Sequence, residues 1–256
     1  HGEWAVVTGA SSGIGREVAL RLAAAGVSLV LTARSESALA EVAERAESRG
    51  VRTMVIPLDL GDREAPGKLA EVAAGLDVGI LIQAAGFGRG GNFQDARLED
   101  ELAMVDVNCR ALVELTHRFG QRFVRQKRGA VVLLSSIVAF QGVARSATYA
   151  ATKALVQSLG EALEREWSGA GVQVLTAIPG PTESGFAARA GMHLGQADSA
   201  AEVADNVVAA LAAGRTRVVP GRIGKLLVYS LMTAPRGLRV RIMQQIMGSM
   251  TRGQAQ

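Results

Sequence analysis

Two periods alternate along this chain. Short, nearly unbroken apolar runs suited to strands buried on both faces stand at WAVVTGA, VSLVLTAR, VRTMVIPLD, VGILIQAAG, GAVVLLSS and GVQVLTAIPG. Between them, apolar residues recur at helical spacing. IGREVALRLAAAG ends at Gly26, and SESALAEVAERAESRG offers Ser35 as N-cap and Gly50 as stop. REAPGKLAEVAAG carries Pro66 in its first turn, where proline is tolerated. One long helix is predicted across Leu98 to Gln126, and another from about Ala147 to Trp167. An irregular stretch then runs to about Ala197, followed by the helix SAAEVADNVVAALAAG and a short strand, RTRVVP. Strand and helix alternate throughout, so the expected fold is α/β: one doubly wound parallel sheet of about seven strands, with helices on both faces.

Composition leaves that picture standing. Of the 256 residues, 48% are hydrophobic and 20% charged, which suits a folded core rather than a disordered chain. Aromatics make up only 4%, so Ala, Val, Leu and Ile must fill the interior. The single cysteine, Cys109, excludes a disulfide within the chain and reads as a small buried apolar residue. No apolar run reaches the roughly 18 residues that span a bilayer, and no signal peptide is visible, so a cytoplasmic location is expected.

Charge changes the picture at one end. The last acidic residue is Asp205, yet Arg215, Arg217, Arg222, Lys225, Arg236, Arg239, Arg241 and Arg252 follow it. The net charge of +4 therefore belongs to the tail. Residues 1–221 read as the main domain and 222–256 as its basic, apolar helical extension. In that extension Ile242, Met243, Ile246, Met247 and Met250 share a helical face, with Arg239 and Arg241 close by, and KLLVYSLM forms a second apolar segment. Such a helix can pack against protein, at a neighbouring subunit or beside a substrate entrance; this reading is favoured. Peripheral contact with an anionic membrane is the other. No nucleic-acid recognition motif accompanies the cations.

The candidate chemistry begins at TGASSGIG, Thr8 to Gly15, where the first strand meets the first helix. Gly9, Gly13 and Gly15 suit a tight turn, close approach of backbone to a pyrophosphate, and close helix–sheet contact. The N–H groups of Ser11, Ser12 and Ile14 and the positive helix end favour an anion there. Strand two ends in Arg34, with no acid before Glu36, which points to NADP(H) in preference to NAD(H). Asp59, with Leu60, closes strand three, where a carboxylate can accept from an adenine amino group.

With DL at Asp59–Leu60, QAAG at Gln83 to Gly86, VN at Val107–Asn108, LLSS at Leu133 to Ser136, YAATK at Tyr149 to Lys153 and IPGPTES at Ile178 to Ser184, the chain resembles a short-chain dehydrogenase/reductase from about Trp4 to Pro220. The resemblance implies a Rossmann-like domain and a catalytic set of Asn108, Ser136, Tyr149 and Lys153, with Ser135 as the alternative serine. It also implies cofactor contacts from Ala84, Ala85, Gly86, Pro179, Gly180, Thr182 and Ser184, and a substrate loop at about 183–198. Gln83 and Ala84 depart from the family's paired asparagines, so a hydrogen bond that supports the sheet is expected to be missing. Ser184 stands where the family usually has threonine.

The implied reaction is hydride transfer to a ketone or aldehyde, or the reverse. Tyr149 would act as acid/base, Lys153 would lower its pKa and hold the nicotinamide ribose, Ser136 would bind the substrate oxygen, and Asn108 would anchor a proton-relay water. A wall of Val138, Phe140, Gln141, Arg145, Phe186, Met192 and His193 is expected to make the substrate pocket mainly apolar. His117 is expected on the outer part of the long helix, without a catalytic role, and no metal site is expected. A homodimer or homotetramer is implied through the helices after strands four and five. The competing reading is a non-catalytic NADP(H) sensor or scaffold on the same fold. An epimerase or dehydratase on a related fold is a third, less suited to this length and glycine spacing.

Overall fold

The computed structural model describes residues 2–183, 197–221, 224, 225, 228 and 233–250, the last five of these for their backbone alone. Expectations for Ser184, Phe186, Met192 and His193, for much of KLLVYSLM, and for the side chains of Ile246, Met247 and Met250 fall outside the described residues.

The apolar runs form the strands β1 (Trp4–Thr8), β2 (Ser28–Ala33), β3 (Thr53–Pro57), β4 (Val78–Gln83), β5 (Gly129–Leu134) and β6 (Val172–Ala177). The intervening helices are α1 (Gly13–Ala24), α2 (Glu36–Glu47), α3 (Ala65–Val72), α4 (Leu98–Val105), α5 (Leu112–Gln126) and α6 (Ala147–Trp167). After them come β7 (Thr182–Glu183), β8 (Asp198–Ser199), α7 (Ala200–Ala212), β9 (Arg217–Val218) and α8 (Arg236–Met250).

The main sheet has seven parallel strands in the order β3-β2-β1-β4-β5-β6-β9. Alternate side chains of its strands enter two cores. Ala5, Val7, Leu29 and Leu31 pack with α1, α2 and α7, while Val6, Val30, Val131 and Leu133 face α3, α5 and α6. Strand order reverses between β1 and β4, so the chain leaves these neighbours toward opposite faces and opens a crevice at their C-terminal ends. Local signals act as read: Ser35 accepts from the Ala38 N–H at the start of α2, and Ser199 with Glu202 forms a capping box on α7.

Two features depart from the expected pattern. The helix from Leu98 to Gln126 is interrupted by a π-helical turn at Asp106–Ala111. Side chains fix this turn: Arg110 pairs with Asp106 and donates to the carbonyls of Leu60 and Gly61, while Asn108 reaches across to Phe87. The stretch expected to be irregular also holds β7 and β8, which pair with each other through Thr182↔Asp198 and Glu183↔Ser199.

Helix α8 lies on the body of the protein. Met243 is buried, and with Ile242 and Val228 it joins an apolar cluster that includes Ile137, Val138, Phe140, Tyr149 and Ile178. Among the described residues no helix is long and apolar enough to cross a membrane.

Candidate active site

The β1–α1 turn is built so that backbone can be approached closely. Gly9 and Gly13 hold positive φ, +65° and +55°. A Cβ on Gly9 would come within 2.8 Å of the Ala84 carbonyl oxygen, and one on Gly15 within 2.3 Å of the Gly9 carbonyl oxygen. Larger residues at either position would push the turn off the end of β4. Thr8 fastens the same junction: its hydroxyl donates to Ile82 O and accepts from the N–H groups of Ala84 and Ala85. Ser12, the N-cap of α1, makes no side-chain capping bond, and the first turn holds no acid. Neither a capping side chain nor an acid of the first turn competes for its amides, which fits a diphosphate.

Arg34 is exposed at the end of β2. At the end of β3, Leu60 is buried, and Asp59 is exposed with one carboxylate oxygen accepting from Gly61 N–H. The hydrogen bond expected to be lost through Gln83 is present in another form. Its buried amide donates to Leu112 O and the Thr116 hydroxyl, tying β4 to α5.

Beside this turn the structure brings Asn108, Ser136, Tyr149 and Lys153 together. Ser135 and Ser136, just past β5, point differently. Ser135 donates to the backbone carbonyl of Lys153, whereas Ser136 is hydrogen-bonded to the Tyr149 phenol and accepts from Val138 N–H. This separates the two serines that the sequence left open. Lys153 is buried, its Nζ 2.8 Å from Leu134 O and 5.8 Å from the Tyr149 ring centroid. Asn108 accepts from Phe87 N–H and donates to Phe87 O and the Thr152 hydroxyl. A Cβ on Gly86 would stand 3.0 Å from Asn108 Oδ1 and 3.7 Å from Lys153 Nζ, so the glycine keeps this corner open. The Asn108 side chain braces the loop after β4, a role the motif alone did not show.

The electrostatics differ from the expectation that Lys153 lowers the Tyr149 pKa. Burial pushes Tyr149 up to about 12, opposed by its hydrogen bond to Ser136. Burial pushes Lys153 down to about 8. Both groups lose water here, and desolvation is the leading cause of each shift. Cys109 is buried, as read from the sequence, and burial raises its thiol pKa too.

The remaining expected positions divide. Pro179 accepts from Ile137 N–H, and Thr182 donates to Gly180 O, so this strand end is locked to the Ser136 turn. Val138 and Phe140 do share an apolar cluster with Tyr149. Gln141 and Arg145 stand differently, and the buried Gln141 Oε1 has no hydrogen-bond partner among the described residues. Gln141 is buried with its amide donating to Ile137 O, and Arg145 is exposed, at φ +63°, its carbonyl accepting from Gly91 N–H. His117 lies on the exposed side of α5. Sequence reasoning missed the two cations at Phe140: Arg217 lies 5.5 Å from its ring centroid, and Arg239 Nη1 donates to its carbonyl at 3.4 Å. Only the one-sided charge of the tail hinted at them. Among the described residues no cluster of His, Cys, Asp or Glu is arranged to hold a metal ion.

Comparison with known proteins bears on the whole arrangement. The sequence profile of the family described as short chain dehydrogenase matches residues 3–194. A 7beta-hydroxysteroid dehydrogenase from Collinsella aerofaciens is 32% identical over 183 residues, covering 71% of this chain and 70% of that protein. A very-long-chain 3-oxoacyl-CoA reductase from Laccaria bicolor is 35% identical over 170 residues, 64% of this chain and 50% of that protein. Among solved structures, a short-chain dehydrogenase from Sphingobium yanoikuyae in complex with NADPH superposes with a TM-score of 0.84 at 30% identity, covering 92% of this chain and 94% of that one.

Proposed function

Since the chain belongs to the short-chain dehydrogenase family, we propose that it is an NADP(H)-dependent oxidoreductase that interconverts a hydrophobic ketone or aldehyde and its alcohol. The observation that carries this reading is the convergence of Ser136, Tyr149 and Lys153 beside a glycine turn open to a diphosphate.

NADPH, when bound, supplies the hydride. The α1 amides with Gly13 and Gly15 would hold its diphosphate, Arg34 its 2′-phosphate, and Asp59 its adenine amino group. Tyr149 Oη donates a proton to the substrate oxygen, and the Ser136 hydroxyl hydrogen-bonds the same oxygen as negative charge develops there. Lys153, held by Leu134 O, carries the cation beside the phenol and takes part in returning its proton. Asn108 positions the loop at Phe87 and keeps Gly86 against Lys153. The apolar cluster around Tyr149 excludes water from the reacting oxygen. In the oxidising direction each of these residues runs its step backwards.

A homodimer or homotetramer is part of this reading. Leu98, Leu102, Val105 and Val113 on α4 and α5, with Leu155 on α6, are exposed apolar side chains on the helices that follow β4 and β5.

A panel of hydrophobic ketones and aldehydes, followed by loss of NADPH absorbance, tests the function. Turnover with NADPH well above that with NADH is expected. Arg34→Ala should raise KM for NADPH by about tenfold or more and leave KM for NADH nearly unchanged. Equal losses with both cofactors would remove Arg34 from the 2′-phosphate role.

A further inference from the structure

The reductase reading leaves unexplained the two guanidinium groups that meet at Phe140. This residue belongs to the cluster that contains Tyr149, and each cation uses a different part of it. Arg217, on β9, lies 5.5 Å from the ring centroid. Arg239, on α8, reaches the backbone carbonyl at 3.4 Å, long for an N–H···O bond and correspondingly weak. Arg239 Nε is buried and has no hydrogen-bond partner among the described residues. Part of the planar donor fork of Arg239 is therefore desolvated without an acceptor, which costs free energy until one arrives.

Among the described residues no Asp or Glu side chain serves as that acceptor: no ion pair there involves Arg239. No Asp or Glu follows Asp205, and none lies between Glu183 and Asp198. Helix α8 also places the cation with respect to the apolar wall. Arg239 lies one turn, about 6 Å along the axis, before Met243 and shares its face, and three residues before Ile242. Met243 and Ile242 pack in the cluster of Phe140 and Tyr149. One helix thus contributes an apolar surface to the neighbourhood of the reacting oxygen and a cation at its end.

We propose that Arg239, seconded by Arg217, binds a carboxylate at the far end of the substrate, so that the preferred substrate is a hydrophobic carbonyl compound with an anionic terminus. This rests on the oxidoreductase reading and narrows it to a substrate class. A guanidinium fork accepts a carboxylate through two parallel hydrogen bonds, and the apolar cluster takes the body of the molecule. Arg239 is a specificity residue here, remote from the bond that changes.

The test uses ω-oxo fatty acids of increasing chain length, each beside its methyl ester, below their micelle-forming concentrations. At the best length the acid should show a KM about tenfold or more below that of the ester. Arg239→Gln should raise KM for the acid to the level of the ester, with kcat for both and KM for the ester unchanged. Arg239→Lys should restore part of the preference. Equal KM values for acid and ester in the unmodified protein at every length would overturn the proposal. So would an Arg239→Gln variant that loses both substrates alike, since that marks a purely structural role. Calorimetric binding of the saturated fatty acid and its methyl ester to the NADPH-loaded protein provides a reading independent of turnover. Binding of the acid that depends on Arg239, without turnover of any oxo compound, would keep the anion site and remove the reductase reading. Turnover with no charge preference would do the opposite.

Discussion

Replacing Tyr149 by Phe is expected to lower kcat for carbonyl reduction by about two to four orders of magnitude, the range that loss of a positioned general acid produces. KM for NADPH should change little. The phenol lies hydrogen-bonded to Ser136, and its ring packs in the cluster with Ile137, Ile178 and Met243. Phenylalanine keeps that ring and removes only the O–H, so a thermal melt should match that of the parent to within a few degrees. Burial holds the Tyr149 pKa at about 12. The residue therefore keeps its proton throughout the neutral range and is loaded as an acid for reduction. As a base for alcohol oxidation it is weak in this form, so oxidation should require more alkaline solution than reduction. Steady-state rates in both directions across a pH series check this asymmetry.

Replacing Lys153 by Met should act in opposite directions on activity and stability. Activity falls by about a hundredfold or more, because the cation beside the reacting phenol is lost. The cofactor-free protein becomes more stable at neutral pH, because a buried ammonium is replaced by an apolar chain of similar length. The pH dependence follows from the direction of the shift. Lys153 titrates at about 8 in the folded protein against an ordinary value of 10.5. Below pH 8 both states hold the proton and the folded state bears the full penalty. Between about 8 and 10.5 the folded state has released the proton while the unfolded chain retains it, so stability rises with pH. The full rise is on the order of 3 kcal/mol. Tyr149 works the other way: above pH 10 the unfolded phenol ionises while the folded one stays protonated, and stability falls. Urea denaturation of cofactor-free protein at a series of pH values should show the rise in the parent and a flattened curve in Lys153→Met.

The order of strands and helices was legible because each buried strand of this sheet is a short unbroken apolar run between amphipathic helices. The glycine turn was legible because positions 9 and 15 exclude a side chain on contact, a constraint that leaves glycine in the sequence. Other features have no local signature. A π-helical turn at Asp106–Ala111 leaves the hydrophobic spacing of its helix nearly intact, and side chains reaching to Leu60, Gly61 and Phe87 fix it. Gln83 looked like a lost hydrogen bond because its partners, Leu112 and Thr116, are distant in sequence. The choice of Ser136 over Ser135 depended on which hydroxyl faced Tyr149 once α6 was in place. Lys153 one helical turn from Tyr149 suggested a lowered phenol pKa, but spacing along a helix does not report how much water both groups lose. Arg239 and Phe140 are ninety-nine positions apart, and their meeting follows only from where α8 docks.

In the proposed reaction this site moves a hydride from NADPH to a carbonyl carbon while Tyr149 protonates the oxygen. Its most direct measurement uses NADPH deuterated at the nicotinamide C4, prepared as each of the two diastereomers, with a ketone turned over by the protein. One deuterium is expected on the new carbinol carbon from one diastereomer and none from the other, with loss of labelled product in Tyr149→Phe. Alcohol formed without deuterium from either diastereomer, or labelled product made as fast by Tyr149→Phe, would contradict it.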